Sequence, residues 1–464
     1  MSFASLEFLL FFSTVLTGTL IIEKIFPDRF KELFLLFASF FFYGYWDWRF
    51  CFLLLAMIMA SYFSAKHSHR KAIYLIGIVA PLVVLGFFKY FNFFLASASA
   101  VIGKDVGALR IILPVGISFY TFQALSYVID VRRGKIPVEQ DFIKLALYIS
   151  FFPQLVAGPI VRASDFLPQL REKRIVTFEN FKWGIQVFAF GLFKKIVLAD
   201  HLSVFVDDVF SKPAAFHWAT IVLAVISYSL QIYFDFSGYS DMAIGCAKCF
   251  GYDFNKNFNL PYISKSVTEF WRRWHISLSS WLKEYLYISL GGNRRGKIRQ
   301  YINLMLTMLL GGLWHGANWT FVFWGGLNGL ALCAEKSIFN RFNHENCRGI
   351  NLLKIIGTFV FISFTWIFFR ADTFSTARSV IEGIFTLQDG IRQPFSWSFV
   401  SVLFLSISSY ATYKKSRNAD DEIVAFYPIL NLNTICGLTL FFVELGLILS
   451  LAFTGENPFV YFQF

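Results

Sequence analysis

Three stretches of this sequence hold the side chains able to do chemistry. The first is Leu309-Leu-Gly-Gly-Leu-Trp-His-Gly-Ala-Asn-Trp-Thr-Phe-Val-Phe-Trp-Gly325, an apolar run whose only ionisable residue is His315. An ionisable group at membrane depth is costly and marks function by default. Imidazole takes and returns a proton near neutrality without a permanent charge, so His315 is the candidate reacting centre. A core histidine donating to a backbone carbonyl among tryptophans is the alternative, and position alone leaves both open. Asn318 stands at i+3 and so on the same helical face as His315, placed to orient the imidazole or bind a carbonyl oxygen. Gly311 and Gly312 permit close backbone approach or a helix break, and Trp314, Trp319 and Trp324 wall the site. Asn318-Trp-Thr320 is formally a glycosylation sequon, set aside because it lies in an apolar stretch.

The second stretch is Phe270-Trp-Arg-Arg-Trp-His-Ile-Ser-Leu-Ser-Ser-Trp-Leu-Lys-Glu-Tyr285, where Arg272 and Arg273 could bind phosphate and His275 could line the cavity of His315. Its other reading is an interfacial helix whose arginines meet lipid headgroups. The loop Gly291-Gly-Asn-Arg-Arg-Gly296 lacks a Walker lysine-serine pattern and reads as a plain turn. The third, Tyr233-Phe-Asp-Phe-Ser-Gly-Tyr-Ser-Asp241, sets Asp235 and Asp241 beside apolar runs, where a carboxylate must meet a cation or water. Structural pairing with an arginine or with broken-helix amides is favoured there over catalysis. Other chemistries fail on spacing: there is no G-x-S-x-G and no H-E-x-x-H. His67 and His69 are isolated, Cys246-x-x-Cys249 has no second half, and no metal site is expected.

Composition says what must position these residues. Of 464 residues 56% are hydrophobic, 20% aromatic and only 16% charged, and a mean hydropathy of +0.56 is too high for a soluble globular chain. An all-α polytopic membrane protein is expected. Apolar stretches near 4–22, 31–45, 48–65, 72–96, 111–129, 142–160, 184–205, 218–236, 301–332, 350–369, 397–413 and 433–453 predict roughly eleven spans, some re-entrant or interfacial. The first lacks a basic n-region and a cleavage site and reads as a retained helix. A formal net charge of +12 raises the question of nucleic acid. The basic residues nevertheless cluster at segment ends, so membrane lipids and not nucleic acid are the expected partner. Clusters 66–71, 132–135, 171–174, 294–299 and 414–417 should face the cytoplasm and the N-terminus the outside. Six scattered cysteines suggest no disulfide framework.

One membrane domain over 1–464 is expected: scaffold helices over 1–110, a tunnel and catalytic core over 111–332, and C-terminal helices over 333–464. Tyr43-Gly-Tyr-Trp-Asp-Trp-Arg49 reads as an interfacial turn. From Leu113 onward Pro and Gly interrupt helices that carry polar residues, which is tolerated only against protein or a water-filled cavity. Segments 165–183 and 252–300 alternate basic and aromatic residues as interfacial helices do. No internal repeat of the kind common in secondary transporters is visible.

The motifs Leu113-Pro-Val-Gly-Ile-Ser-Phe-Tyr-Thr-Phe-Gln123, Phe152-Pro-Gln-Leu-Val-Ala-Gly-Pro-Ile160, Tyr233–Gly245, Phe270–Trp281 and Gly312–Gly325, with the closing Asn457-Pro-Phe-Val-Tyr-Phe-Gln-Phe464, run in order along nearly the whole chain. Together they resemble the membrane-bound O-acyltransferase family, in its branch of bacterial alginate O-acetyltransferase membrane subunits. The resemblance implies a bowl-like bundle of about eleven transmembrane helices, with interfacial and re-entrant helices, enclosing a tunnel across the membrane. His315 matches the family's invariant histidine and His275 its second motif position. It implies an acyl group taken from a cytoplasmic thioester, acetyl-CoA or an acyl-carrier protein, with no permanently bound cofactor. It further implies delivery toward an extracytoplasmic polysaccharide with a periplasmic SGNH-type, esterase-like acetyltransferase partner, at the bacterial inner membrane. In that setting His315 acts as general base or as a covalent acyl relay, and Asn318 or His275 orients it or binds the oxyanion. Arg272 and Arg273 then receive the donor's phosphates. D-alanyl transfer to teichoic acid, within the same family, is the first alternative. A proton-coupled transporter or flippase using His315 and Asp235 is the second, and a structural scaffold the third.

Overall fold

Long apolar runs without capping breaks become long helices, and the computed structural model is all-α, with a single isolated bridge between Phe216 and Ile391 and no strand among the described residues. It describes residues 1–464 apart from 105–106, 157, 339–347, 395, 417–429, 454, 456–458 and 460–464. Most of the closing 457–464 motif lies outside the described residues. Among the described residues five helices are long and apolar enough to cross a membrane: Leu6–Ile25, Arg49–Lys66, Lys71–Ile102, Trp218–Cys249 and Gly349–Arg370. Shorter apolar helices cover Trp397–Ile407 and Ile435–Leu451.

Other expected spans are shorter or divided, for reasons local to the chain. The stretch from 111 becomes helical only at Ile117, because Pro114 and the left-handed Gly116 (φ 73°) hold the preceding turn open. The stretch 142–160 stops at Ser150, ahead of Pro153. The stretch 184–205 loosens into a π-turn at Phe193–Ala199 before resuming at Asp200, and 301–332 divides at Gly316.

The described chain divides into two compact units. The first comprises Met1–Ala189, Tyr239–Asn255 and Ile429–Leu438. Within it Ile117–Arg132 is buried on nearly every face and packs against Arg49–Lys66 and Lys71–Leu85. Phe8, Phe11, Phe42 and Phe152 interlock at ring separations of 5.2 to 6.3 Å, the tilted and edge-on arrangements aromatic quadrupoles prefer. Lys31 crosses to Glu23 at 2.5 Å and to the Arg174 carbonyl at 2.6 Å.

The second comprises Phe190–Gly238, Lys256–Pro428 and Thr439–Phe464. Its core is aromatic, with Trp274, Trp324 and Trp366 all under 3% exposed. The helices Lys297–His315 and Trp319–Ile338 form a tight hairpin because glycines face each other. A Cβ on Gly312 would sit 2.2 Å from the Phe321 carbonyl oxygen, and one on Gly325 2.3 Å from that of Met308. Small residues allowing backbones to touch are how apolar helices associate where lipid offers no hydrophobic drive. The turn of this hairpin carries His315.

Candidate active site

The helix Lys297–His315 ends on the imidazole itself, because Gly316 turns extended (φ −158°, ψ 148°). A side chain at 316 would strike the Phe321 ring at 2.2 Å, so the exit from the helix is fixed. His315 is 4% exposed. Trp314 and Trp324 each stand 5.1 Å from its ring and Phe369 5.3 Å, all close to perpendicular. This wall excludes water from the imidazole. Trp324 buries an indole N–H that has no hydrogen-bond partner among the described residues, as do Trp271 and Trp274.

His275 sits between the short helices Val267–Arg273 and Ile276–Trp281 in a left-handed conformation (φ 42°), uncommon for a residue with a Cβ. Its Nδ1 lies 3.1 Å from Asn257 Oδ1. That oxygen also accepts the Ser277 backbone N–H at 3.2 Å and the Ser277 hydroxyl at 2.9 Å, which identifies it as the amide oxygen and Nδ1 as the nitrogen bearing hydrogen. Nε2 is therefore the lone-pair nitrogen. Burial pushes the His275 pKa down to about 3, so the ring is neutral at ordinary pH and acts as an acceptor. The expected oxyanion donation by His275 fits this state poorly, since its one N–H is already given to Asn257. Trp314 joins the two histidines, with ring centroids 6.0 Å from His275 and 5.1 Å from His315.

Asn318 is not on the face of His315. The helix has ended, and Asn318 Oδ1 instead accepts the Thr320 N–H at 3.1 Å at the start of the next helix, while Nδ2 donates to the Asp372 carbonyl at 2.9 Å. It braces the hairpin turn, as capping asparagines do. Arg273 gives Nε to Glu269 at 2.9 Å and Nη1 to the Asn259 carbonyl at 3.2 Å, so part of its fork serves the fold. Arg272 is exposed. Close to it, burial lowers the pKa of Lys336, and the cations of Arg272 and Lys283 lower it further. A like-charge group of this kind receives anions readily.

Asp235 meets a lysine and not the expected arginine or helix amides: Lys195 Nζ lies 2.7 Å from Asp235 Oδ1 and 2.7 Å from Asp200 Oδ1, with all three side chains under 10% exposed. Asn257, Phe236, Phe369 and Lys195 were not singled out by sequence reasoning. Phe369 and Trp366 lie beyond the 111–332 stretch expected to hold the core. Among the described residues, no group of three His, Cys, Asp or Glu side chains could hold a metal ion, and the described cysteines are free.

The profile of the membrane-bound O-acyltransferase family matches residues 136–374, and the chain belongs to that family. It is thus an acyltransferase and a multi-pass membrane protein. It is 41% identical over 400 residues to the probable alginate O-acetylase of Pseudomonas aeruginosa, covering 83% of this chain and 75% of that one. It is 35% identical to the protein of that name in Pseudomonas putida, over the full length of both. The peptidoglycan O-acetyltransferase of Helicobacter pylori is 39% identical over 388 residues, 76% of this chain and 74% of that one. The teichoic acid D-alanyltransferase of Bacillus subtilis is more distant, at 28% over 278 residues, 56% of this chain and 69% of that one.

Proposed function

We propose that this acyltransferase moves an acetyl group from a cytoplasmic thioester, acetyl-CoA or an acyl-carrier protein, across the bacterial inner membrane for O-acetylation of an extracytoplasmic polysaccharide. His315 is the base. It takes the proton of the acceptor hydroxyl as oxygen attacks the thioester carbonyl; the C–O bond forms, the C–S bond breaks, and the proton returns to the departing thiolate. The observation that carries this reading is the placement of His315, dry, fixed at the end of its helix and walled by aromatic rings. The unpartnered indole N–H of Trp324 on the same wall is suited to the oxyanion. Arg272, with Lys283 and Lys336, suits the donor's phosphates, and Arg273 shapes the helix that presents it.

Acetyl is favoured over D-alanyl because the acetylating relatives match at 35 to 41% identity over 76 to 100% of the chain, against 28% over 56% for the D-alanyl transferase. A periplasmic SGNH-type partner would finish the transfer. The test is ester-linked acetate on envelope polysaccharide in cells whose only copy carries His315→Ala at normal membrane level. Loss of acetate is expected. Unchanged acetate would overturn the assignment of His315, and loss of D-alanyl ester with acetate intact would move the chain to the teichoic acid branch.

A further inference from the structure

The ion network at Lys195 lies outside the proposed reacting centre, yet one turn of helix links the two. Lys195 lies in the π-turn Phe193–Ala199, an irregularity that often marks functional positions, and holds Asp200 and Asp235 at 2.7 Å each. Its neighbour Lys194 donates to Ser237 at 3.0 Å. Asp235 and Ser237 flank Phe236 on the helix Trp218–Cys249, so both lysines grip the turn that carries this ring. Phe236 in turn stands 4.5 Å from His275, nearly perpendicular, and 5.0 Å from Phe258, which itself lies 6.4 Å from His275. A buried ion group costs desolvation energy that well-packed apolar residues would not, and at membrane depth that cost points to a purpose.

We infer that Lys195 and Asp235 are positioning residues for acyl transfer: the pair fixes Phe236, and Phe236 fixes the ring of His275 beside Trp314 and His315. The inference rests on the reading of His315 as the reacting base, with His275 held near it across Trp314. Displacement of such a group by about 1 Å costs up to about 100-fold in rate.

The experiment is the initial rate at which cells pulsed with labelled acetate acquire ester-linked label on envelope polysaccharide, normalised to folded protein in the membrane. Lys195→Met and Asp235→Asn should each slow labelling about 10- to 100-fold, and Lys195→Arg, which keeps the cation, should recover much of the loss. The decisive readout is a double-mutant cycle. If the pair acts through Phe236, Asp235→Asn combined with Phe236→Leu is no slower than Phe236→Leu alone. Full rate in Asp235→Asn, or losses that multiply in the double variant, overturns the inference. So does failure of both single variants to reach the membrane folded, which would make the network purely structural. His315→Ala measured alongside separates the two readings: if it labels normally the reacting centre is misassigned, whereas a dead His315→Ala with normal Asp235→Asn removes only the positioning role.

Discussion

Asn257→Asp is the substitution that tests the electrostatics of the site most directly. Asn257 Oδ1 accepts three donors, from His275 Nδ1, the Ser277 backbone and the Ser277 hydroxyl. A carboxylate of the same shape still accepts all three at Oδ1, so none of these donors is stranded, while the Nδ2 amide group gives way to a second oxygen and a negative charge is added. In the native protein the fall of the His275 pKa from its ordinary 6.5 to about 3 corresponds to about 5 kcal/mol against the imidazolium. A negative charge about 4 Å away returns on the order of 4 kcal/mol at an effective dielectric of about 20. The His275 pKa should then rise by roughly 3, to about 6. If the neutral ring supports the transfer proposed for His315, protonating His275 should slow it. The assay is the pH dependence of acetate transfer. Native enzyme should show no loss attributable to His275 between about pH 5 and pH 7, while the variant should lose half its rate near pH 6 and more below it. A variant profile that superimposes on the native one, with folded protein at the native level, would refute the reasoning, because the carboxylate could not then be touching a ring whose charge matters.

Three further outcomes follow from the same geometry. Gly325→Val should abolish folding of the hairpin, since a Cβ there meets the Met308 carbonyl at 2.3 Å; size-exclusion of detergent-solubilised protein reads this, and a monodisperse variant would contradict the packing. Arg273→Ala should lower the melting temperature by removing bonds to Glu269 and Asn259, whereas Arg272→Ala should leave melting unchanged and raise the KM for the acyl donor several-fold; equal melting temperatures for the two would refute the division. Because the His275 pKa is depressed by folding, its contribution to stability is present above about pH 6.5 and declines as pH falls toward about 3, by about 1.4 kcal/mol per pH unit. His275→Gln should flatten that part of the acid melting profile, and an unchanged slope would show that the ring is not held neutral.

The buried, walled position of His315 was legible because an imidazole inside an apolar run stands out, and because glycines and tryptophans flank it at short range. The aromatic and basic character of 270–285 was legible for the same reason. Asn318 was misplaced by assuming one continuous helix, although Gly316 followed by an asparagine two residues before Thr320 already reads as a stop and a new cap. Asn257, Lys195 and Phe369 could not be found by pattern. Each acts on a residue far along the chain, and nothing about an asparagine in a loop, a lysine in a helix or one phenylalanine among sixty distinguishes it before the fold brings it into contact.

The Asn257 oxygen closes an 18-residue span of chain onto His275, and the closure is reinforced where Ile276 donates to the Asn257 carbonyl at 2.8 Å and Asn259 to that of Arg273 at 2.9 Å. These bonds converge on two short segments and brace them against each other. Residues 257–277 are therefore expected to open and shut as one unit. Their amide hydrogens should exchange with solvent at one common rate, so that the second histidine is either fully seated or absent from the site at any instant.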